Sequence, residues 1–201
     1  MSKTETTMRL ACSGAALLAG ITSSAQAQDV NGFYGGLGLS LPSGSVDFSY
    51  DGRYSLNGSA LGSAFAGYNA VSSGGLVYGG EIAVPQGADV DGAYGTPGIN
   101  AMVDLKGRMG KVFGKTLVYG SLGYSMGSAT WNDGTGTMAK VGGVNLGAGF
   151  ETPLGARGFF GGDITSRNLN PTGTNDNGDL SSSYVDSMDM TTVSVRVGFR
   201  F

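Results

Sequence analysis

The stretch Thr191-Thr192-Val193-Ser194-Val195-Arg196-Val197-Gly198-Phe199-Arg200-Phe201 decides how this chain folds. In an extended chain Val193, Val195, Val197, Phe199 and Phe201 fall on one face, and Thr192, Ser194, Arg196, Gly198 and Arg200 on the other. Strand side chains alternate faces with period two, so one face is wholly apolar and the other polar or small. A strand of about ten residues with one lipid-ready face meets the demand of a tilted transmembrane β-strand.

Seven earlier segments carry the same alternation. Residues 33–41 set Phe33, Gly35, Leu37, Leu39 and Leu41 against Tyr34, Gly36, Gly38 and Ser40. Residues 60–69 are assigned Ala60, Gly62, Ala64, Ala66 and Tyr68 as the outer face, which turns Phe65 inward. Residues 76–84 alternate Leu76, Tyr78, Gly80, Ile82 and Val84 with Val77, Gly79, Glu81 and Ala83. Residues 99–110 oppose Ile99, Ala101, Val103, Leu105 and Met109 to Asn100, Asp104, Lys106 and Arg108. Residues 117–127 oppose Val118, Leu122, Tyr124 and Met126 to Tyr119, Ser121, Gly123 and Ser125. Residues 141–151 oppose Val144, Leu146, Ala148 and Phe150 to Asn145, Gly147, Gly149 and Glu151. Residues 159–167 oppose Phe160 and Ile164 to Asp163, Thr165 and Arg167.

The connections alternate in length. Short ones fall at 70–75, 111–116 and 152–157, and longer ones at 42–59, 85–98, 128–137 and 168–187. Short periplasmic turns and long outer loops characterise an outer-membrane barrel. The pattern therefore predicts an all-β fold, an eight-stranded antiparallel up-and-down transmembrane β-barrel with both chain ends on the short-turn side.

The first residues read differently. Lys3 and Arg9 precede a weakly apolar stretch, Leu10 to Ile21, and Ala25 and Ala27 form an A-x-A cleavage signal. Residues 1–27 are expected to be a secretory signal peptide and 28–201 the barrel domain, with the start of translation at Met1 or Met8. The apolar stretch is too short to span a bilayer. Cys12, the only cysteine, lies in that leader; Arg9 close before it argues against lipidation. Without cysteine the mature chain can form no disulfide framework or cysteine zinc site. Histidine is absent from all 201 residues, which removes the usual general base and the commonest metal ligand. Neither cofactor nor enzymatic activity is expected, and a lipid-modifying barrel enzyme would lack its histidine. Removing the leader leaves ten bases against fourteen acids, so no basic footprint for nucleic acid remains.

An apolar stripe can face lipid or the core of a soluble barrel, and the opposite stripe decides between them. A secreted soluble barrel would put many charged residues on its watery face. Here that stripe is mostly Gly, Ser, Thr, Asn and Ala, with Glu81, Asp104, Glu151 and Asp163 against Lys106, Arg108, Arg167, Arg196 and Arg200. Small residues and a few opposed charges suit the narrow lumen of eight strands. Tyr68, Phe150, Phe199 and Phe201 near the short-turn ends fit an interfacial girdle. Lipid outside is the better reading.

Asn31-Gly32-Phe33-Tyr34-Gly35-Gly36-Leu37-Gly38, Ala66-Gly67-Tyr68-Asn69, Val77-Tyr78-Gly79-Gly80-Glu81, Arg108-Met109-Gly110, Leu117-Val118-Tyr119-Gly120, Gly147-Ala148-Gly149-Phe150-Glu151 and Val197-Gly198-Phe199-Arg200-Phe201 occur in that order. Together they resemble the small eight-stranded outer-membrane β-barrels of the OmpA/opacity type. The resemblance implies a lumenal charge network of Glu81, Arg108, Glu151, Asp163 and Arg196, and an assembly signal in Val197, Phe199 and Phe201. It implies outer-membrane lipid and the outer-membrane assembly machinery as partners, and the outer membrane of a Gram-negative bacterium as location. Phe160-Gly161-Gly162-Asp163 departs from the family's seventh strand and leaves its register open.

Three further signals are weak. Gly134-Thr135-Gly136-Thr137-Met138-Ala139 matches a dinucleotide fingerprint, but a strand follows it where a helix is needed. Asn175-Asp176-Asn177-Gly178-Asp179 lacks EF-hand spacing and a closing glutamate, so it reads as solvated turn. Nine aspartates, Asp47, Asp51, Asp89, Asp91, Asp133, Asp176, Asp179, Asp186 and Asp189, fall in the expected long loops or, for Asp189, just beside one. Tyr50, Tyr54, Tyr94, Trp131 and Tyr184 beside them fit equally a surface for an extracellular partner or an outer girdle. Two functions follow: a structural or surface-interaction barrel with its lumen plugged by polar side chains, or a narrow porin-like channel for water, ions or very small solutes. Little free bore favours the plug.

Overall fold

The computed structural model describes residues 30–48, 52–57, 60–85, 97–99, 102–131, 137–173 and 185–201. The expected leader, six of the nine aspartates (Asp51, Asp89, Asp91, Asp133, Asp176 and Asp179), Tyr50, Tyr94 and Tyr184 lie outside these residues. Among the described residues ten strands are formed: β1 Gly32–Phe48, β2 Gly52–Asn57, β3 Leu61–Val71, β4 Leu76–Pro85, β5 Pro97–Ile99, β6 Val103–Phe113, β7 Thr116–Trp131, β8 Thr137–Leu154, β9 Gly158–Gly173 and β10 Val185–Arg200. Two of them are short continuations: β2 extends β3 alongside β1, and β5 extends β6 alongside β7. The remaining eight run antiparallel in the order β1-β3-β4-β6-β7-β8-β9-β10, and β10 pairs back with β1. The result is a closed eight-stranded barrel.

Closure is complete along β1. Tyr34 through Ser43 pair one to one with Arg200 through Thr191, and the Phe201 N–H donates to the Phe33 carbonyl at 2.9 Å. Seven of the eight barrel segments read from the sequence begin and end inside the observed strands or within a residue or two of them. The fourth, expected at 99–110, is divided between β5 and β6. At the short-turn end, Gly75, Gly114 and Gly155 sit in the turns with φ between 64° and 76°, a conformation that costs other residues a Cβ clash.

Among the described side chains the assigned faces are those observed; Ile99, Asn100 and Ala101 lie outside them. Leu37, Leu39, Leu122, Leu146, Val195 and Phe199 are among the exposed large apolar residues, all on the outer wall. Asp163, Thr165 and Arg167 point inward while Ile164 is exposed, which fixes the register of β9. Ala64, Ala66 and Tyr68 face out and Phe65 is buried, as the parity of β3 requires. Around the short-turn end Phe33, Tyr68, Tyr78, Phe113, Phe150, Phe199 and Phe201 form an exposed aromatic ring, with Phe33 edge-on to Tyr68 at 4.9 Å between centroids. No helix long and apolar enough to cross a membrane occurs among the described residues.

The expected long connections need correction. β1 continues through Ser43–Phe48, β9 through Asn168–Gly173, and β10 begins at Val185, all inside stretches read as loop. Asp47, Asp186 and Asp189 are therefore strand residues. The reason is an inversion of polarity along each strand. On β1 the outward residues pass from Leu37, Leu39 and Leu41 to Ser43, Ser45 and Asp47, while the inward ones pass from Ser40 to Val46. On β10 the outward run Val197, Val195, Val193 becomes Thr191, Asp189, Ser187, and inward Arg196 and Thr192 give way to Met190 and Met188. On β9 outward Ile164 gives way to Ser166 and Asn168, and inward Arg167 to Leu169. Alternation continues with its sign reversed, so a search for apolar-out strands stops at the inversion.

The outer apolar run on β1, Phe33 to Leu41, spans about nine residues; at ~3.3 Å each and roughly 40° of tilt it rises about 23 Å, the height of a barrel's lipid-facing band. The full 17-residue β1 rises about 43 Å on the same geometry. The upper part thus stands clear of the band and buries an ordinary apolar core of Val46, Leu56, Met102, Val141, Leu169, Met188 and Met190. Tyr54 packs against this core, which corrects its reading as a loop-surface aromatic.

Inward glycines have a specific role in the wall. Four inward aromatic residues each stand directly across a strand pair from a glycine: Tyr34 from Gly67, Phe65 from Gly36, Tyr119 from Gly149 and Phe159 from Gly198. A Cβ on any of these glycines would run into the aromatic ring or hydroxyl opposite. Gly67→Val would drive a side chain into the Tyr34 hydroxyl and the Gly80 carbonyl oxygen, whereas at outward Gly80 the nearest atom lies 3.9 Å away. Gly67→Val is expected to lower stability by about 1–3 kcal/mol and Gly80→Val to leave it within about 0.5 kcal/mol, read from urea unfolding in detergent micelles.

Candidate functional site

The barrel interior is the candidate site, because charged side chains converge there from five strands, β4, β6, β8, β9 and β10. At the short-turn end it is closed by Val30, Val77, Leu117 and Tyr119, with Val112 packed against them. Above this apolar layer lies the lower ion cluster. Glu81 on β4 accepts from Arg108 on β6 at 2.9 Å and from Arg196 on β10 at 2.6 Å. Glu151 on β8 accepts from Arg108 at 2.6 Å and from Arg200 at 2.9 Å. Asp163 on β9 accepts from Arg196 at 2.9 Å. All six side chains are buried or nearly so, Glu151 completely.

The five residues singled out from the sequence, Glu81, Arg108, Glu151, Asp163 and Arg196, thus come together inside the barrel, and Arg200 joins them. Glu81 and Arg108 sit on paired strands, as do Asp163 and Arg196. The contact between Glu81 and Arg196 crosses the bore instead, joining residues 115 apart in sequence. No reading along a single ladder reaches that pair.

Phenols complete the cluster. The Tyr34 hydroxyl donates to Glu81 Oε2 at 3.0 Å and accepts from Arg108 Nη1; the Tyr119 hydroxyl accepts from Arg196 Nη1 at 3.1 Å. Each arginine also lies over an aromatic ring: Arg108 over Tyr119 at 3.8 Å, Arg196 over Phe65 at 3.8 Å and Arg200 over Phe159 at 4.8 Å. These are three of the rings that rest against glycines. Glycine, aromatic ring and guanidinium form a repeated stack, so a buried arginine gains a π face as well as carboxylate partners.

A second cluster lies nearer the long-connection end. Arg167 on β9 grips Asp104 on β6 with both arms, Nε to Oδ1 at 3.0 Å and Nη2 to Oδ2 at 2.6 Å. Ser125 donates to the same carboxylate at 2.7 Å and accepts from Asn145 at 2.9 Å. Arg167 also donates to the Thr192 hydroxyl at 2.9 Å, and Lys106 donates to Thr165 at 3.2 Å. Asp104, Lys106 and Arg167 were legible as inward charges but carried no family motif. The apolar core around Met102, Met188 and Leu169 closes the interior above them. No group of three or more metal-ligating side chains occurs among the described residues.

Val197, Phe199 and Phe201 lie on the outer wall, on the opposite face from Arg196 and Arg200, with Phe201 the most exposed large apolar side chain among the described residues. Their face meets the aromatic ring at the short-turn end.

The same barrel geometry recurs in solved structures. Neisserial surface protein A aligns with a TM-score of 0.55 and 14% identity over 85% of this chain and 98% of its own. The outer membrane protein OprG from Pseudomonas aeruginosa gives 0.50 and 12% over 85% and 96%. The outer membrane protein AlkL, solved in lipid bilayers, gives 0.51 and 13% over 90% and 94%. At such identities the likeness is one of fold. No curated protein sequence gives a significant match. The family model for the outer membrane protein beta-barrel domain matches residues 13–201, and this chain belongs to that family.

Proposed function

We propose that this outer-membrane barrel has a structural or surface-interaction role, without enzymatic activity, and that its lumen is closed to solutes. One observation carries the reading: four successive layers of side chains, apolar, ionic, ionic and apolar, cross the interior, with only a small chamber between the two ionic ones. The ionic layers are held by shared carboxylates and two-armed guanidinium contacts, which a passing solute would have to break. Opening such a network leaves charges buried without partners, at about 3–5 kcal/mol each. The outer half of the barrel, carrying Asp47, Arg53 and Asp189 on its wall, is the part available to an extracellular partner.

The reading includes a leader ending near Ala27 and delivery to the outer membrane of a Gram-negative cell, with the lipid-facing stripe Val197, Phe199 and Phe201 presented to the assembly machinery. Membership of the family supports the location; the exposure of all three side chains supports the stripe's role.

Three outcomes test the proposal. Purified barrel in a planar lipid bilayer is expected to give no steady single-channel conductance. Steady openings altered by Glu81→Ala would replace this reading with the narrow-channel one. Glu151→Ala, which strips Arg108 and Arg200 of a shared carboxylate, is expected to destabilise the barrel by about 3–5 kcal/mol in urea unfolding. Phe201→Asp is expected to lower the amount of heat-modifiable barrel assembled in cells severalfold, while the same variant refolded into detergent keeps the wild-type conductance record. Normal assembly would remove Phe201 from the recognition stripe.

A further inference from the structure

The interior charges do not cancel. Among the described residues four inward carboxylates, the buried Glu81, Asp104 and Glu151 and the partly buried Asp163, face five buried cations, Lys106, Arg108, Arg167, Arg196 and Arg200. The lower cluster balances, three against three. The excess lies in the upper cluster, where Asp104 is the carboxylate within ion-pair distance of both Arg167 and Lys106, and Glu81, paired with two arginines, faces Lys106 across the β4–β6 ladder.

Asp104 is already committed. Arg167 holds both of its oxygens and Ser125 donates to one of them. Lys106 stands 3.7 Å away and has one hydrogen bond, to Thr165. Its side chain is only 6% exposed, yet an ammonium carries three donors and a full charge. A buried charge demands a counter-charge or gives up its proton.

Beside Lys106 lies a small polar chamber between the two ion clusters. Its volume is about 20 Å³, room for one particle about the size of a water molecule. Lys106 lines it together with Arg167, Arg196, Ser40, Ser63 and Ser194. Ser40 and Ser194 share one hydrogen bond at 2.8 Å, so one of their two hydroxyl protons is left to point elsewhere. The carboxylates on its wall, Glu81, Asp104 and Asp163, each already accept from an arginine.

We propose that this chamber binds one small monovalent anion of halide size, held by the Lys106 ammonium and the hydroxyls of Ser40, Ser63 and Ser194. The site neutralises the odd cation of the lumen and its volume excludes bulky anions. It stands apart from the question of conduction, since a resident ion can occupy a closed lumen or a conducting one.

The test uses the refolded full-length barrel in detergent, unfolded by heat at constant ionic strength in sodium chloride, sodium bromide or sodium gluconate. Halide is expected to raise the midpoint along a saturating curve, by roughly 5–10 °C at a hundredfold excess over Kd, while gluconate has no such effect. Lys106→Met is expected to abolish the halide dependence and to unfold in gluconate no earlier than the wild type. Should that variant fail to fold, crystals of the wild type grown in bromide report directly: an anomalous peak beside Lys106 supports the site. Equal midpoints in halide and gluconate, or no bromide peak in the chamber, would overturn it.

Discussion

The pairing of β10 with β1 is the constraint on which everything else rests. In hydrocarbon an unpaired backbone N–H or C=O costs several kcal/mol, and a sheet edge presents a whole row of them. Joining Tyr34–Ser43 to Arg200–Thr191 removes the last edge. Once the sheet closes on eight strands, the bore is narrow enough that side chains from opposite walls must meet. Closure therefore brings Glu81 on β4 to Arg196 on β10, and the ion clusters follow from the topology as much as from the residues.

Filling that bore raises a problem of volume as well as charge. An arginine needs space, a partner and a surface to lie on. The wall supplies all three where a glycine stands across the pair from an aromatic ring: the glycine lets the ring lie flat, and the ring carries the guanidinium. Gly149, Tyr119 and Arg108 form one such stack, and Gly36, Phe65 and Arg196 another. The glycine-rich strands are thus not merely small on the inside. They are shaped to receive particular rings.

Much of this was legible in the sequence, and the limits have physical causes. Period-two stripes gave eight strands, their faces and the inward position of all nine lumenal charges, because alternation is a property of each strand by itself. The extensions Ser43–Phe48 and Asn168–Gly173 were missed because the outward residues there turn polar and the inward ones apolar, which imitates the end of a strand. Parity alone turns Phe65 inward, but that Gly36 makes room for its ring follows only from the register between β1 and β3. Glu81 and Lys106 are neighbours across a ladder, yet Glu81 turns to Arg108 and Arg196 and Lys106 to Thr165. Which partner wins depends on distances across the bore, and those exist only after closure.

The inversion of polarity has one more consequence: it gives the barrel a fixed waterline. Sliding outward would lift the Leu41 and Val193 level into water, and sliding inward would carry Asp47 and Asp189 toward hydrocarbon. Lysine or arginine on a lipid face costs about 2–4 kcal/mol at the bilayer midplane, and aspartate less, so a drift of even one pleat is opposed from both sides. β1, β9 and β10 change sign together, which pins tilt as well as height. A membrane that thickens or thins must therefore deform to meet this wall, at a cost that rises with each ångström of mismatch.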